Sequence, residues 1–389
     1  MASMDTLLPG VGLDDADGLL AADREGLLRS AALSGAQVRA AAVAADEGAL
    51  AALSTARPRS LVLVARRGSA LSAVETVCAA FSRQFAMPVV AADHAPTWVG
   101  PLDVVILAGD DAGDPVLVES VDRAVRHGCE VVVVAPDGGP LQAAGSGRAI
   151  TLPPRVIVPD PFAMAGYIAA IATVLTAMEG ALHDGVQMDL MACADALDHE
   201  ALLNHPQRET YENPAKSLVE KVTNHRVVIA ADSAASRAVA SHASEIFVRI
   251  GGHLAPDADL AGVLSGLPVL ASVSVPPGFD PLFHDPQLDG PPPIAPLRVL
   301  LLATSRDRAE AERRSALLRG NAVLVVPEHT ADGKLPGVEH QQVLPRDGSR
   351  AFSAEGQSDR GKMKELCELM VLASRLEMAA VYVQMVGAH

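Results

Sequence analysis

The sequence predicts an α/β protein of two tandem, doubly wound parallel-sheet domains with a helical segment at each end. Three observations predict it. Residues 102–136, LDVVILAGDDAGDPVLVESVDRAVRHGCEVVVVAP, read as strand, short loop, helix and strand. Apolar, β-branched runs alternating with helices in this way specify parallel strands covered on both faces. The same plan returns after residue 213, and 389 residues, 49% of them hydrophobic, suffice for two cores of ordinary size.

The elements follow in order. Residues 13–53 are mostly helical: Asp23 can cap a helix whose Leu27, Leu28, Ala31, Ala32 and Val38 keep helical spacing. Arg57-Pro58-Arg59 punctuates the chain, and Leu61 to Ala65 is a buried parallel strand. RRGSALSA leads into a helix from about residue 71 to 85, and Met87-Pro88 into strand 89–91. In the next unit Asp114-Pro115 supplies an N-cap with proline at the first helical position, and Gly128 closes the same helix at C′. Residues 161–200 form two helical segments. Asn213-Pro214 opens the second round, with strands at 227–231, 269–273, 299–303 and 323–326 and helices through Phe247 and over 306–318. The last helix, about 362–385, is amphipathic, with Leu366, Leu369, Met370, Ala373, Leu376 and Ala380 on one face. The boundaries expected are an N-terminal helical segment over 1–56, domains over 57–200 and 201–350, and a C-terminal helix over 351–389. A proline-rich insertion at 276–297 is either a lid or a solvated loop.

Lys and Arg total 31 against 47 Asp and Glu, a net charge of −16. That field disfavours nucleic acid and anionic membrane as partners. Cys78, Cys129, Cys193 and Cys367 are scattered without CxxC spacing, as expected of reduced, buried thiols in a cytoplasmic protein. The acidic start, MASMDTLLPGVGLDDADGLL, lacks the basic region of a signal peptide, and the apolar stretch 163–178 is too short to span a bilayer. His199, Glu200 and His205 lack metal-ligand spacing, and there is neither a GxGxxG followed by an acid nor a GxSxG elbow. No cofactor or metal is therefore expected.

In an open parallel sheet, ligands bind outside the carboxyl ends of strands, against the following helix N-termini. A phosphate binder places Gly, Ser and Thr there. This chain places Asp110, Asp111 and Asp114 there instead. Asp114 reads as a helix cap; Asp110 and Asp111 are either solvated loop residues or carboxylates that take sugar hydroxyls or a cation.

Several stretches, RPRSLVLVARRGSALSA, MPVV with PTWVGPLDVVILAGD, APDGGPLQAA, LPPR, ENPAKSLVEKV and LLATSRDRAEAERR, occur in the order and spacing of one family. From about Leu13 onward the chain resembles the bifunctional phosphoglucose/phosphomannose isomerases, which carry tandem sugar isomerase (SIS) domains, and within them the diverged TobH-type branch. The resemblance implies two three-layer α/β/α sandwiches, a homodimer, and aldose–ketose isomerisation of glucose 6-phosphate or mannose 6-phosphate to fructose 6-phosphate. It also implies ligand contacts from Gly68 and Ser69, where Arg67 replaces a family glycine. Ser69 is equally readable as an N-cap. Asp110 and Asp111 fall on the family's hydroxyl-rich phosphate loop. Arg155, in LPPR, matches a family arginine in the substrate site, and a domain-interface salt bridge is its alternative. The family's catalytic glutamate has no counterpart in AVASHASEIFVRIGGHLAPDADLAGVL. Glu245 and His253, with His242, are the nearest replacements, and the closing Gly387-Ala388-His389 has no lysine where the family does. The expected function is a sugar or sugar-phosphate binding protein with an eroded isomerase site. The alternatives are an isomerase with a relocated base, or a non-catalytic subunit in sugar metabolism.

Overall fold

The computed structural model describes residues 11–145, 147–178, 180–183, 189–271, 288, 294–327 and 355–387. Three helices open the chain: α1 (Ala16–Ala22), α2 (Leu27–Ala31) and α3 (Ser34–Asp46). Asp23 accepts from the N–H groups of Leu27 and Leu28 at 2.7 and 3.1 Å, but the N-cap position of α2 is Gly26, and the single helix expected from Leu27 through Val38 is divided between α2 and α3. The first sheet then forms from β1 (Ser60–Val64), α4 (Gly68–Ala80), β2 (Val89–Ala92), β3 (Asp103–Ala108), α5 (Pro115–Arg126), β4 (Glu130–Val134), α6 (Gly139–Gly145) and β5 (Ile150–Thr151). Helices α7 (Met164–Ala177), α8 (Leu190–Leu203) and α9 (Pro214–Val222) lead to the second sheet. That sheet comprises β6 (Arg226–Ala231), α10 (Ala234–Arg249), β7 (Asp257–Asp259), α11 (Leu260–Leu270), β8 (Leu297–Leu302), α12 (Arg308–Ser315) and β9 (Ala322–Val325). The long α13 (Glu355–Val386) follows.

Every strand pair is parallel, and the sheet orders are β2-β1-β3-β4-β5 and β7-β6-β8-β9. The second order repeats the first four strands of the first. The duplicated plan expected from the sequence is thus present, as two doubly wound parallel sheets. Strand residues alternate between faces although nearly all are apolar. Leu61 and Leu63 point into one core, while Val62 and Val64 join a second with Leu117, Val121 and Val125. The first of these cores continues without a break through α4, α7, α10 and α13 to Leu300 and Leu302 of the second sheet.

Several expectations need correction. The helix expected over 71–85 is α4, which starts at Gly68 and ends at Ala80. Strand 269–273 is not formed at its start: Val269 and Leu270 end α11. Asp259 captures the Gly262 N–H at 2.6 Å and starts a helix at Leu260 that runs into the expected strand. Helix α13 is longer than expected and is not half-exposed, since residues 365–383 are buried on every side. Its polar residues therefore carry internal partners. Arg375 forms a two-pronged ion pair with Glu200 of α8 at 2.7 and 2.9 Å, Glu377 meets His242 of α10 at 2.8 Å, and Tyr382 donates to the Asn204 carbonyl at 2.7 Å. Most of the proline-rich insertion, and with it the lid question, lies outside the described residues. Among the described residues no helix is long and apolar enough to cross a membrane. All four cysteines are free thiols, and burial above all pushes Cys78 and Cys129 up to about 11.

Candidate functional site

In the first sheet the order reverses between β1 and β3, so the crevice where ligands are expected lies beyond Val64 and Ala108. Two turns frame it. After β1, Arg66-Arg67-Gly68-Ser69 opens α4. After β3, residues 109–114 lead into α5.

Gly68 adopts φ +60°, and a Cβ there would lie 2.5 Å from Oδ2 of Asp160. This glycine therefore serves both a left-handed backbone and a close approach. Asp160, just ahead of α7, accepts the Ser69 N–H at 3.2 Å, and the Ser69 hydroxyl donates to the Asp160 carbonyl at 2.5 Å. The Asp160 carboxylate also receives Nη1 of Arg249, from the end of α10, at 2.8 Å. The anion position at the start of α4 is consequently filled by the protein's own carboxylate, itself paired across the two domains.

The start of α5 is filled in the same way. Asp114 accepts from Val116 and Leu117 N–H at 2.9 and 3.3 Å, and Arg66 Nη1 stands 2.7 Å from both of its oxygens. Burial opposes ionisation of this carboxyl, but Arg66 and the two backbone donors outweigh it and hold the group below its ordinary value. Asp111 turns back on its own loop: it accepts the Gly113 N–H at 2.7 Å and lies 3.8 Å from Arg67. In the second domain, Glu368 of α13 takes both the N–H and the hydroxyl of Ser305, at 2.7 and 2.6 Å, in the turn after β8. Three turns at strand carboxyl ends thus hold an internal carboxylate.

Beside the crevice, toward β4, lies a cavity of about 660 Å³ between α3, α7 and the 152–158 segment. Its polar lining includes Gln37, Asp110, Asp137, Arg155, Asp160 and Tyr167. Asp110 and Asp137 follow β3 and β4, whose ends pair at Ala108 and Val134, so both acids stand on one rim. Arg155 is held by Glu47 of the chain following α3 at 2.5 Å. Tyr167 is only 6% exposed; burial first, and then the Asp110 and Asp160 charges, push its phenol pKa upward.

Of the residues singled out by sequence, Asp110 and Arg155 line one cavity. Gly68 and Ser69 do not line it and meet it only through their contacts with Asp160. Asp111 faces Arg67 and does not line it. Glu245 pairs with Arg249 at 2.8 Å, which connects it through Asp160 to the α4 turn. His253 packs edge-on against Phe247 and is not among the lining residues. His242 is buried against Glu377. Sequence reasoning missed Asp160, Asp137, Gln37 and Tyr167. The one available signal was Pro159-Asp160-Pro161, a rigid turn presenting a single acid. Among the described residues no group of three or more His, Cys, Asp or Glu is placed to hold a metal ion.

No protein-family model matches the sequence, and no curated protein matches it significantly. Solved structures match over nearly the whole length. The C-terminal domain of glucosamine-fructose-6-phosphate aminotransferase from Francisella tularensis superposes with a TM-score of 0.58 at 11% identity, over 92% of this chain and 96% of that one. A Bacillus subtilis protein provisionally assigned as a phosphosugar isomerase gives 0.54 at 13% identity, again over 92% and 96%. The tagatose-6-phosphate ketose/aldose isomerase of Escherichia coli gives 0.50 at 14% identity, over 96% of each chain. At these identities the likeness establishes a common two-sheet fold.

Proposed function

We propose that the protein is a carbohydrate-binding member of the sugar isomerase fold that has lost the isomerisation reaction. Aldose–ketose isomerisation of a sugar phosphate requires donors that hold the phosphate at a helix N-terminus and a carboxylate free to move a proton between two carbons. The single observation that carries the reading is the pair Asp160 and Asp114, whose carboxylates take the backbone N–H groups at the starts of α4 and α5. A phosphate could reach those N–H groups only by displacing a carboxylate that an arginine, Arg249 or Arg66, holds in place. The net charge of −16 adds to that opposition.

The order of sequence motifs supports placing the chain beside the TobH-type branch of the phosphoglucose/phosphomannose isomerases, with lobes near 57–200 and 201–350. A homodimer is part of the same proposal, and four free thiols favour a reducing, cytoplasmic setting.

The test combines turnover and binding. Glucose 6-phosphate and mannose 6-phosphate are incubated with the protein, and fructose 6-phosphate is followed by coupled assay. Thermal unfolding is recorded with the same esters and with free sugars at millimolar concentration. The proposal expects no fructose 6-phosphate above background and stabilisation by at least one free sugar. Turnover lost in Glu245→Gln would overturn it in favour of an isomerase whose base is Glu245, a reading favoured by the Glu245–Arg249–Asp160 chain. Stabilisation by no sugar of either kind would leave the non-catalytic subunit.

A further inference from the structure

The cavity beside the crevice carries a chemistry of its own. Asp160 is spent on Ser69 and Arg249, and Arg155 is neutralised by Glu47. Asp110 and Asp137 are different: both are exposed on the cavity rim, and neither is in an ion pair among the described residues. The lining therefore carries two uncompensated negative charges.

A second observation is independent of charge. Tyr167 and Gln37 line the same cavity, and each is only 6% exposed. Gln37 spends its Nε2 on the Phe162 carbonyl at 2.9 Å, and its Oε1 packs toward Gly166 at the cavity wall. Among the described residues neither Gln37 Oε1 nor the Tyr167 hydroxyl has a hydrogen-bond partner. Neither atom is fully shut off from solvent, so an acceptor and a donor remain open to a molecule in the cavity. The remaining wall is largely apolar and includes Pro153 and Pro154. Apolar walls with a few convergent polar groups are the usual make-up of a small-molecule site, and about 660 Å³ is an ordinary size for one.

We propose that this cavity binds an amino sugar that carries no phosphate. Asp110 and Asp137 hold its ammonium group, Tyr167 donates to a ring or hydroxyl oxygen, and Gln37 Oε1 accepts from a hydroxyl. This rests on the carbohydrate-binding reading above and narrows it. Two carboxylates reward a cation and repel a phosphate, whereas a neutral sugar gains only hydrogen bonds from them.

The test is calorimetric titration of the full chain at neutral pH and constant ionic strength. The probes are D-glucosamine, D-glucose, N-acetyl-D-glucosamine, glucosamine 6-phosphate and ethanolamine. The expectation is that D-glucosamine binds at least tenfold more tightly than each of the others. Asp110→Asn with Asp137→Asn should erase that preference, and Tyr167→Phe should weaken D-glucosamine several-fold, with unfolding curves confirming that both variants fold. If D-glucose or N-acetyl-D-glucosamine binds equally well, the ammonium assignment falls and the carbohydrate reading survives. Equal binding of ethanolamine removes the sugar ring from the proposal. Tighter binding of glucosamine 6-phosphate overturns the exclusion of phosphate and leaves a carbohydrate site, whereas binding by no sugar overturns the inference and the reading beneath it together.

Discussion

Arg249, at the end of α10, donates to Asp160, the residue that closes the N-terminus of α4, across 2.8 Å. The side chains are 38% and 11% exposed, so the contact is half-sheltered and joins the two domains at the crevice. Replacing Arg249 with Met should cost about 1 kcal/mol, the upper end for an accessible pair, because Asp160 keeps its Ser69 N–H bond. Urea unfolding at neutral pH checks this: the midpoint should fall with an unchanged m-value.

Gly68→Ala should cost more. It combines a left-handed φ of +60° with a Cβ 2.5 Å from the Asp160 carboxylate. Backbone strain alone accounts for about 1 kcal/mol, and the displaced carboxylate for a similar amount. In the Asp160→Gly background only the backbone part should remain. A double-mutant cycle on unfolding free energies must therefore show a coupling, and strict additivity would disprove the contact.

The Arg66–Asp114 pair predicts a pH dependence of definite sign. The folded-state pKa of Asp114 is depressed, so its contribution is present above the unfolded value of about 3.9 and is lost as pH falls through the lower folded value. Arg66→Met raises the folded value toward the unfolded one. The stability difference between wild type and variant should be constant near neutrality, shrink below about pH 4 and vanish in strong acid. A difference that grows on acidification would reverse the assignment.

Asp110→Ser with Asp111→Ser should not create a phosphate site, despite their place in the loop. The N–H groups at the start of α5 are held by Asp114, which remains in the double variant. Thermal unfolding with millimolar inorganic phosphate should show no stabilisation beyond that of wild type.

Inside α13, the Arg375–Glu200 pair is the most costly to halve. The two side chains are 5% and 4% exposed, so Arg375→Met leaves an unpaired buried carboxylate and should cost about 3–5 kcal/mol. Adding Glu200→Leu removes the orphaned charge and should restore a large part of that loss. Guanidinium unfolding of the two variants settles the order.

Local signals in the sequence were enough for most of the fold. Asp114-Pro115 capped α5 where expected, with Asp114 accepting from Val116 and Leu117. The strands expected at 61–65, 89–91, 131–134, 227–231, 299–303 and 323–326 formed within two residues of those bounds, whereas β5 and β7, short and with few aliphatic residues, were not foreseen. Val269 and Leu270 misled because β-branched and aliphatic residues fit a strand and a buried helix equally, and the deciding Asp259 lies upstream of the run. Helix α13 misled for another reason: Glu368, Arg375 and Glu377 look solvent-facing until their partners are known. Those partners are remote in the chain. The candidate site was legible only in part for the same cause, because Asp160 stands 91 residues from Ser69 and nothing near either one announces the other.

Helix α13 packs against α8, α9 and α10 and reaches α2, α4 and α7 of the first half. Until residues 365–383 have been synthesised, the apolar faces of α8, α9 and α10 that they cover lie open to the solvent. The first half therefore cannot settle independently while the second is still being made, as successive domains ordinarily do. Cutting the chain between the two sheets should give two sticky fragments rather than two domains, and a fragment ending before α13 should regain solubility when that helix is added back as a separate peptide.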